Sequence, residues 1–310
     1  ENSFKINNNF IVAVSGGADS LALAFLTKLF AFKSNLNPKY FIVDHKLRKE
    51  STDEAFKVKK ILKSLNINSH ILTVRGKKPQ NSIQSFARKK RYDLLFSKCN
   101  KLRINNLVLG HHMDDLFENF FLRMIRGSGL KGLISLGEKT QVKNINLLRP
   151  LIQFDKKDLL FISKFVFNFY VDDTSNYEIK FNRIKIRNFI GQLKSIGLDK
   201  KKFQLTIENL KHSDKTIRFY VEKNKKINSL MNQRKNKLIL KEDFFDNSYE
   251  VVFRSLSDLI LIMGKKQNPV RGKKIDNIID KIENNRLFKE TLGGCVIKMV
   301  NHTIILTKEH

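Results

Sequence analysis

The sequence predicts an α/β protein: a doubly wound parallel sheet, followed by a smaller, mainly helical second domain. Three observations carry this. Short stretches rich in β-branched and aromatic residues alternate with helical patterns through the first half, the pattern of a parallel sheet covered on both faces. FIVAVSGGADSLALAFL (10–26) runs from a buried strand into an apolar helix through a glycine pair. After Gly197 the character shifts to longer helical patterns. The domains are expected at 1–205 and 206–310.

In order, strands are read at 10–14, YFIVDH (40–45), HILTV (70–74) and NLVLG (106–110), with helices at 51–65 and 82–101 between them. Ser51-Thr-Asp-Glu54 reads as a capping box, in which serine and glutamate satisfy each other's free amides. Ile83, Phe86, Ala87, Leu94 and Leu95 recur at helical spacing. LLRPLIQFDKKDLL (147–160) reads as a short strand, a turn and a helix from near Asp155. VDDTSN (171–176) is a polar loop, and FNRIKIRNFI (181–190) a basic helix. The second domain is read as one long helix over 203–231, a short strand and turn at 238–245, helices at 249–263 and 271–284, and a hairpin at 293–308.

The chain carries 59 Lys and Arg against 30 Asp and Glu, a net charge of +29 spread over both halves. Such an excess repels itself unless a polyanion is near, so nucleic acid is the leading partner. A Lys- and Asn-rich compositional bias is the alternative. Cys99 and Cys295 are far apart with no CxxC pair, which argues against a disulfide framework, zinc site or thiol-held cluster. No run approaches the roughly 18 apolar residues of a membrane span, and ENSFKINNNF does not read as a secretory leader. A reducing cytoplasm fits these features.

Ligands of doubly wound sheets bind beyond the carboxyl ends of the strands, which is where Ser15-Gly16-Gly17-Ala18-Asp19-Ser20 falls. A glycine pair lets the backbone approach a ligand closely, and the next helix aims its free amides and positive dipole end there. That suits phosphate, with hydroxyl donors from Ser15 and Ser20. Asp19 beside phosphate is repulsive unless a cation intervenes, so the motif points to a magnesium-bound nucleotide with Asp19 facing the metal. A plain helix cap is the alternative. The loop differs from the G-x-x-x-x-G-K-[ST] of the usual ATPases and has no lysine over the phosphates. It resembles the pyrophosphate (PP) loop of enzymes that split ATP into AMP and pyrophosphate.

Five further stretches narrow the resemblance: VDHKLRKES (43–51), NSIQSFARKKRYDLL (81–95), LGHHMDDLFENFFLRMIRGSGLKGL (109–133), LLRP (147–150) and VDDTSNYEIKFNRIKIRN (171–188). With SGGADS they resemble the tRNA(Ile)-lysidine synthetases in order and spacing, strongly over about the first 190 residues and weakly beyond. The resemblance implies the adenine nucleotide alpha hydrolase-like version of the fold, with an ATP-binding catalytic first domain and a tRNA-binding second domain. Longer members carry a further C-terminal domain, and this chain is expected to end before it.

The implied reaction begins when the wobble cytidine of the CAU-anticodon isoleucine tRNA, through its carbonyl oxygen, attacks the α-phosphate of ATP. The side-chain amine of free lysine then displaces AMP, giving lysidine, which pairs with A. ATP, magnesium, this tRNA and lysine are the expected ligands, and a homodimer is expected from the family.

Attack at phosphorus needs the leaving charge neutralised. Asp114, Asp115 and Glu118 fall at i, i+1 and i+4 of one helix, so Asp114 and Glu118 share a face with Asp115 beside them. Such a cluster can hold a lysine ammonium, assigned to Asp115 and Glu118, or contact a metal; acids at a helix start also simply complement its dipole. Lysine attacks as the neutral amine, so His111, His112 or a carboxylate is needed to take its proton. His45 follows a strand end where a nucleotide should lie; an ordinary turn residue is the alternative. Arg126, before Gly-Ser-Gly, reads as a phosphate or base contact or as part of a helix C-cap. Arg183 and Arg187 are assigned to tRNA phosphate or the adenylate; a solvated face is the alternative, as for Arg88 and Arg91. Leu116 and Asn119 stand where the family usually has Gln and Thr.

A PP-loop tRNA thiolase is the nearest rival, but those enzymes use cysteine pairs or a cluster, and neither spacing occurs here. A small-molecule amide-forming ligase would have no use for the charge. A binding module with a dead nucleotide fold would not need Ser15, Asp19 and Ser20 intact.

Overall fold

The computed structural model describes residues 9–47, 50–76, 83–171, 177–234, 236–266, 269–301 and 303–309. The chain divides into two compact units, 1–200 and 201–310.

The first unit holds a six-stranded sheet. Its strands are β1 (Ile11–Val14), β2 (Lys39–Asp44), β3 (Ser69–Thr73), β4 (Asn106–Val108), β5 (Lys139–Val142) and β6 (Ile145–Leu148). The order is β3-β2-β1-β4-β6-β5. All neighbours are parallel except β5, which pairs antiparallel with β6. The helices are α1 (Ala18–Lys33), α2 (Ser51–Ser64), α3 (Ile83–Leu102), α4 (Met113–Ile125), the single turn α5 (Leu130–Leu133), α6 (Lys156–Phe167) and α7 (Tyr177–Ser195). Alternate strand residues feed two cores. Phe10, Val12, Val14, Tyr40 and Ile42 pack with Leu21, Val58, Leu62 and Leu159 from α1, α2 and α6. Ile11, Phe41, Leu107 and Leu147 face the other way, onto Leu95 and Cys99 of α3. Two covered faces make the parallel sheet stable.

Two local readings change. Ser51 does not cap α2; the residue before the helix is Glu50, without a side-chain cap. The Ser51 and Thr52 hydroxyls instead donate to buried Asp44 (3.0 and 2.8 Å), as does the Lys46 amide (2.9 Å). A buried carboxylate needs such donors, and Asp44 outcompetes the box. The strand β5 was not read from the sequence, because KTQV is short and half exposed at the sheet edge.

In the second unit, α8 (Lys200–Asn228), α9 (Tyr249–Gly264) and α10 (Gly272–Glu283) accompany the antiparallel strands β7 (Ser229–Met231), β8 (Lys237–Leu240), β9 (Lys289–Leu292), β10 (Cys295–Val300) and β11 (Thr303–Lys308). They form a sheet ordered β7-β8-β11-β10-β9, so the C-terminal hairpin is the centre of a five-stranded sheet. Leu240, Phe244, Leu256, Ile260, Ile275, Ile297 and Ile304 are among its fully or almost fully buried core. Asp214 of α8, itself buried, pairs with Arg254 of α9 (2.5 Å) and with Arg218 (2.6 Å).

Candidate active site

The turn after β1 is built around one hydroxyl. Ser20 Oγ accepts from the Ser15 and Gly16 amides (both 3.1 Å) and donates to the Gly17 carbonyl (2.9 Å). The Ser15 hydroxyl reaches it at 3.2 Å. Through these contacts the Ser20 hydroxyl, which donates to the Gly17 carbonyl, braces the loop. The amides of Gly17, Ala18 and Asp19 donate to no group among the described residues. They lead α1, where its dipole favours an anion. Gly16 has φ +88°, and a Cβ there would lie 2.6 Å from Val58.

Asp19 stands in the first turn of α1. Its Oδ1 is buried without a partner among the described residues, and its Oδ2 lies 3.5 Å from His112 Nε2. An orphaned carboxylate oxygen beside free amides fits a magnesium ion held between Asp19 and phosphate. Among the described residues no group of three His, Cys, Asp or Glu side chains is arranged to hold a metal, so a nucleotide would supply other ligands.

His112 is brought there by Gly110, whose missing Cβ would lie 3.2 Å from the Asp19 carbonyl. His112 caps α4: its Nδ1 accepts from the Asp114 amide (3.2 Å), while its own amide donates to Asp115 Oδ2 (3.0 Å). The cap makes Nδ1 an acceptor, so the ring proton sits on Nε2, 3.5 Å from both Asp19 and Asp115. Burial lowers the His112 pKa, but the Asp19 hydrogen bond and the Asp115, Asp19 and Asp114 charges outweigh it and hold it raised. The cap opposes a second proton, since protonated Nδ1 would lose the Asp114 amide. His111 is its opposite: burial, with Arg149, Arg88 and Arg91 adding to it against Asp115, lowers it to about 4.

The acids of α4 do not form one cluster. Asp115 faces His112. Asp114 lies 4.0 Å from Lys200, which also pairs with Asp155. Glu118, almost fully buried, takes the Arg187 Nε at 2.5 Å, which joins α7 to α4. Each acid thus has a partner of its own, and Glu118, the one that is buried, has an arginine.

Arg126 is the C-cap residue of α4, with Gly127 at φ +67°, about 20 Å along the helix from His112. The C-cap alternative therefore describes it, and it is not brought to the site. His45 lies past β2, lining a cleft of about 510 Å3 with Lys46, Thr73, Val74, Arg75, Gly76 and Phe86. The side chain of Arg183 and residues 172–176 of the polar loop lie outside the described residues. The sequence reading assigned nothing to Arg149, which is buried and donates to the Gly137 carbonyl and Thr140. An arginine directly after a buried strand was the available signal.

The model of the PP-loop domain family matches residues 2–194. The tRNA(Ile)-lysidine synthase of Orientia tsutsugamushi is 33% identical over 319 residues, covering 99% of this chain and 71% of that one. That of Wolbachia sp. subsp. Brugia malayi is 31% identical, covering 98% and 71%. The chain belongs to the tRNA(Ile)-lysidine synthase family. It is thereby an ATP-dependent ligase of the PP-loop kind. A solved structure, the U34-tRNA thiolase NcsA from Methanococcus maripaludis with its 4Fe-4S cluster, is similar in fold: TM-score 0.58 at 21% identity, over 67% of this chain and 74% of that one. Here Cys99 lies on α3 and Cys295 on β10, both buried, and burial pushes both thiols up to about 11, which suits inert thiols.

Proposed function

We propose that this chain adenylates the wobble cytidine of the CAU-anticodon isoleucine tRNA and transfers free lysine to it, releasing diphosphate and then AMP. The observation that carries this is the Asp19–His112–Asp115 chain, which links the loop at the end of β1 to the first turn of α4. The Gly17, Ala18 and Asp19 amides take the diphosphate, and Asp19 Oδ1 faces magnesium, which supplies charge neutralisation for the leaving group. The cleft beside His45 and Phe86 takes the adenosine half. Asp115 holds the lysine ammonium and receives its proton while His112 Nε2–H orients the carboxylate, so that the neutral amine attacks the ring carbon as the C–O bond to AMP breaks. Glu118 holds Arg187 toward the phosphate of the adenylate and contributes to the lysine site through its second oxygen.

The second unit, with the basic residues of α8, binds tRNA, as the charge of the whole chain supports. No helix is long and apolar enough to cross a membrane, and the cytoplasm, where tRNA is modified, is the expected location. A homodimer is part of the same reading, from the family resemblance.

The test is transfer of labelled lysine into isoleucine and methionine tRNA transcripts that share the CAU anticodon. Lysine should enter only the isoleucine tRNA, only with ATP, with AMP and diphosphate released. Asp19→Asn should abolish release of both while leaving tRNA affinity within about twofold. Release without lysine transfer, or transfer into both tRNAs, would contradict the reading.

A further inference from the structure

The sheet of the second unit buries one of its faces. Leu238, Leu240, Ile297, Ile304 and Leu306 are almost fully buried on the side where α9 packs on β10 and β11. Successive residues of a strand point to opposite faces, so the register defines what the other face carries. One row across the five strands reads Leu230, Ile239, Ile305, Lys298, Lys289. The next reads Lys237, Thr307, Val296, Thr291. Leu230, Thr291 and the three lysines are exposed, the others are half-buried, and none of the nine joins the core. These two rows carry three cations, no acid and no aromatic ring. Lys298 and Lys289 stand directly opposite each other, an arrangement of like charges that costs stability. Neither has an ion pair among the described residues; Glu290, next in the chain, lies on the covered side and pairs with Lys281 of α10. An anion held between the two lysines removes that cost.

We propose that this open face docks on a base-paired stem of the tRNA substrate. This rests on the reading above that the second unit binds tRNA. Charge complementarity selects a polyanion. With no aromatic ring among the nine residues, the face does not suit a single strand, whose bases stack on such rings. A paired stem offers instead a wide, shallow minor groove edged by phosphates and lined with 2′-hydroxyls. Lys237 on β8 and Lys298 on β10 are two strand spacings apart, about 10 Å, with Lys289 one strand further, so cations flank Ile305 and Thr307 of β11. The lysines reach phosphates on either side, the threonine hydroxyls meet 2′-hydroxyls, and the aliphatic side chains pack against sugars. None of these contacts reads a base, so the face recognises the form of the stem and not its sequence.

The experiment measures, across a range of salt, the affinity of the wild type and of the double variant Lys289→Gln with Lys298→Gln for the isoleucine tRNA transcript and for an unstructured RNA of the same length, beside lysine transfer. Removing the like-charge pair should leave the melting temperature at or above that of the wild type, so the fold is kept. Affinity for the tRNA should fall about tenfold at about 150 mM salt, with a log–log slope shallower by about 2, one per phosphate contact. Affinity for the unstructured RNA, and kcat for lysine transfer at saturating tRNA, should stay within about twofold. A control, Lys59→Gln with Lys60→Gln at exposed positions of α2, should change none of these. Equal loss in both double variants would mean that net charge alone matters, and equal loss on both RNAs would remove the stem. Unchanged RNA affinity with a smaller species on sedimentation would give the face to a second copy of the chain. Each of these overturns the proposal. A wild type that transfers lysine beside a double variant that binds tRNA unchanged overturns the docking face alone; a wild type that transfers none overturns the lysine reading, while the stem contact stands or falls on the binding data.

Discussion

Gly16 and Gly17 are adjacent and lack side chains for different reasons. Gly16 is required by the chain itself, through φ +88° and the approach of Val58. At Gly17 the nearest atom to an added Cβ is 3.8 Å away and φ is −67°, so the fold does not require glycine. Gly16→Ala should therefore destabilise the protein by about 1–3 kcal/mol, read as a lower melting temperature. Gly17→Ala should melt within a degree or two of the wild type yet raise the KM for ATP, because its methyl group borders the free amides. Equal melting of both variants would contradict this division. His111 supports a second expectation. Its folded pKa is about 4, against about 6.5 for an exposed histidine. Between these values the unfolded chain binds a proton that the native chain does not, so this contribution is intact above about pH 6.5 and is lost as pH falls toward 4. His111→Gln should lose less stability than the wild type between pH 7 and 4.5, by about 2–3 kcal/mol. Matching denaturation midpoints across that range for both proteins would remove His111 as the cause.

At the scale of elements, α4 carries the site because its first turn meets the loop after β1 and its buried face meets α7. Arg187→Met would remove one counter-charge from buried Glu118, costing about 1–3 kcal/mol. The double variant Glu118→Gln with Arg187→Met should recover much of that, which a thermal melt would show; a double variant less stable than the single one would mean the pair is not the link between α4 and α7. The strands and helices of the first unit were legible because their apolar periods are long and distinct. Polar edge strands such as β5, and β9 beside the C-terminal hairpin, were not, since their pairing is fixed by partners elsewhere in the chain. The site divides similarly. The turn at 15–20 and the HHMDD stretch could be read because their chemistry is local. That Ser20 braces the turn, that the α4 acids take separate partners, and that Arg149 ends buried on Gly137 and Thr140 are facts that spacing does not encode.

For the whole molecule, the excess of +29 is carried by both halves, so binding to tRNA should be strongly electrostatic. Affinity should fall at least about tenfold between roughly 50 and 200 mM salt, with a linear log–log slope that counts phosphate contacts. A flat response would mean that the charge reflects composition alone. The central claim is narrower: the amides of Gly17, Ala18 and Asp19 hold the departing diphosphate, with magnesium between it and Asp19. A crystal structure with ATP and magnesium tests it most directly. The account predicts the β- and γ-phosphates within hydrogen-bond distance of those three amides and the metal on Asp19 Oδ1; a nucleotide bound elsewhere, with that turn empty, would contradict it.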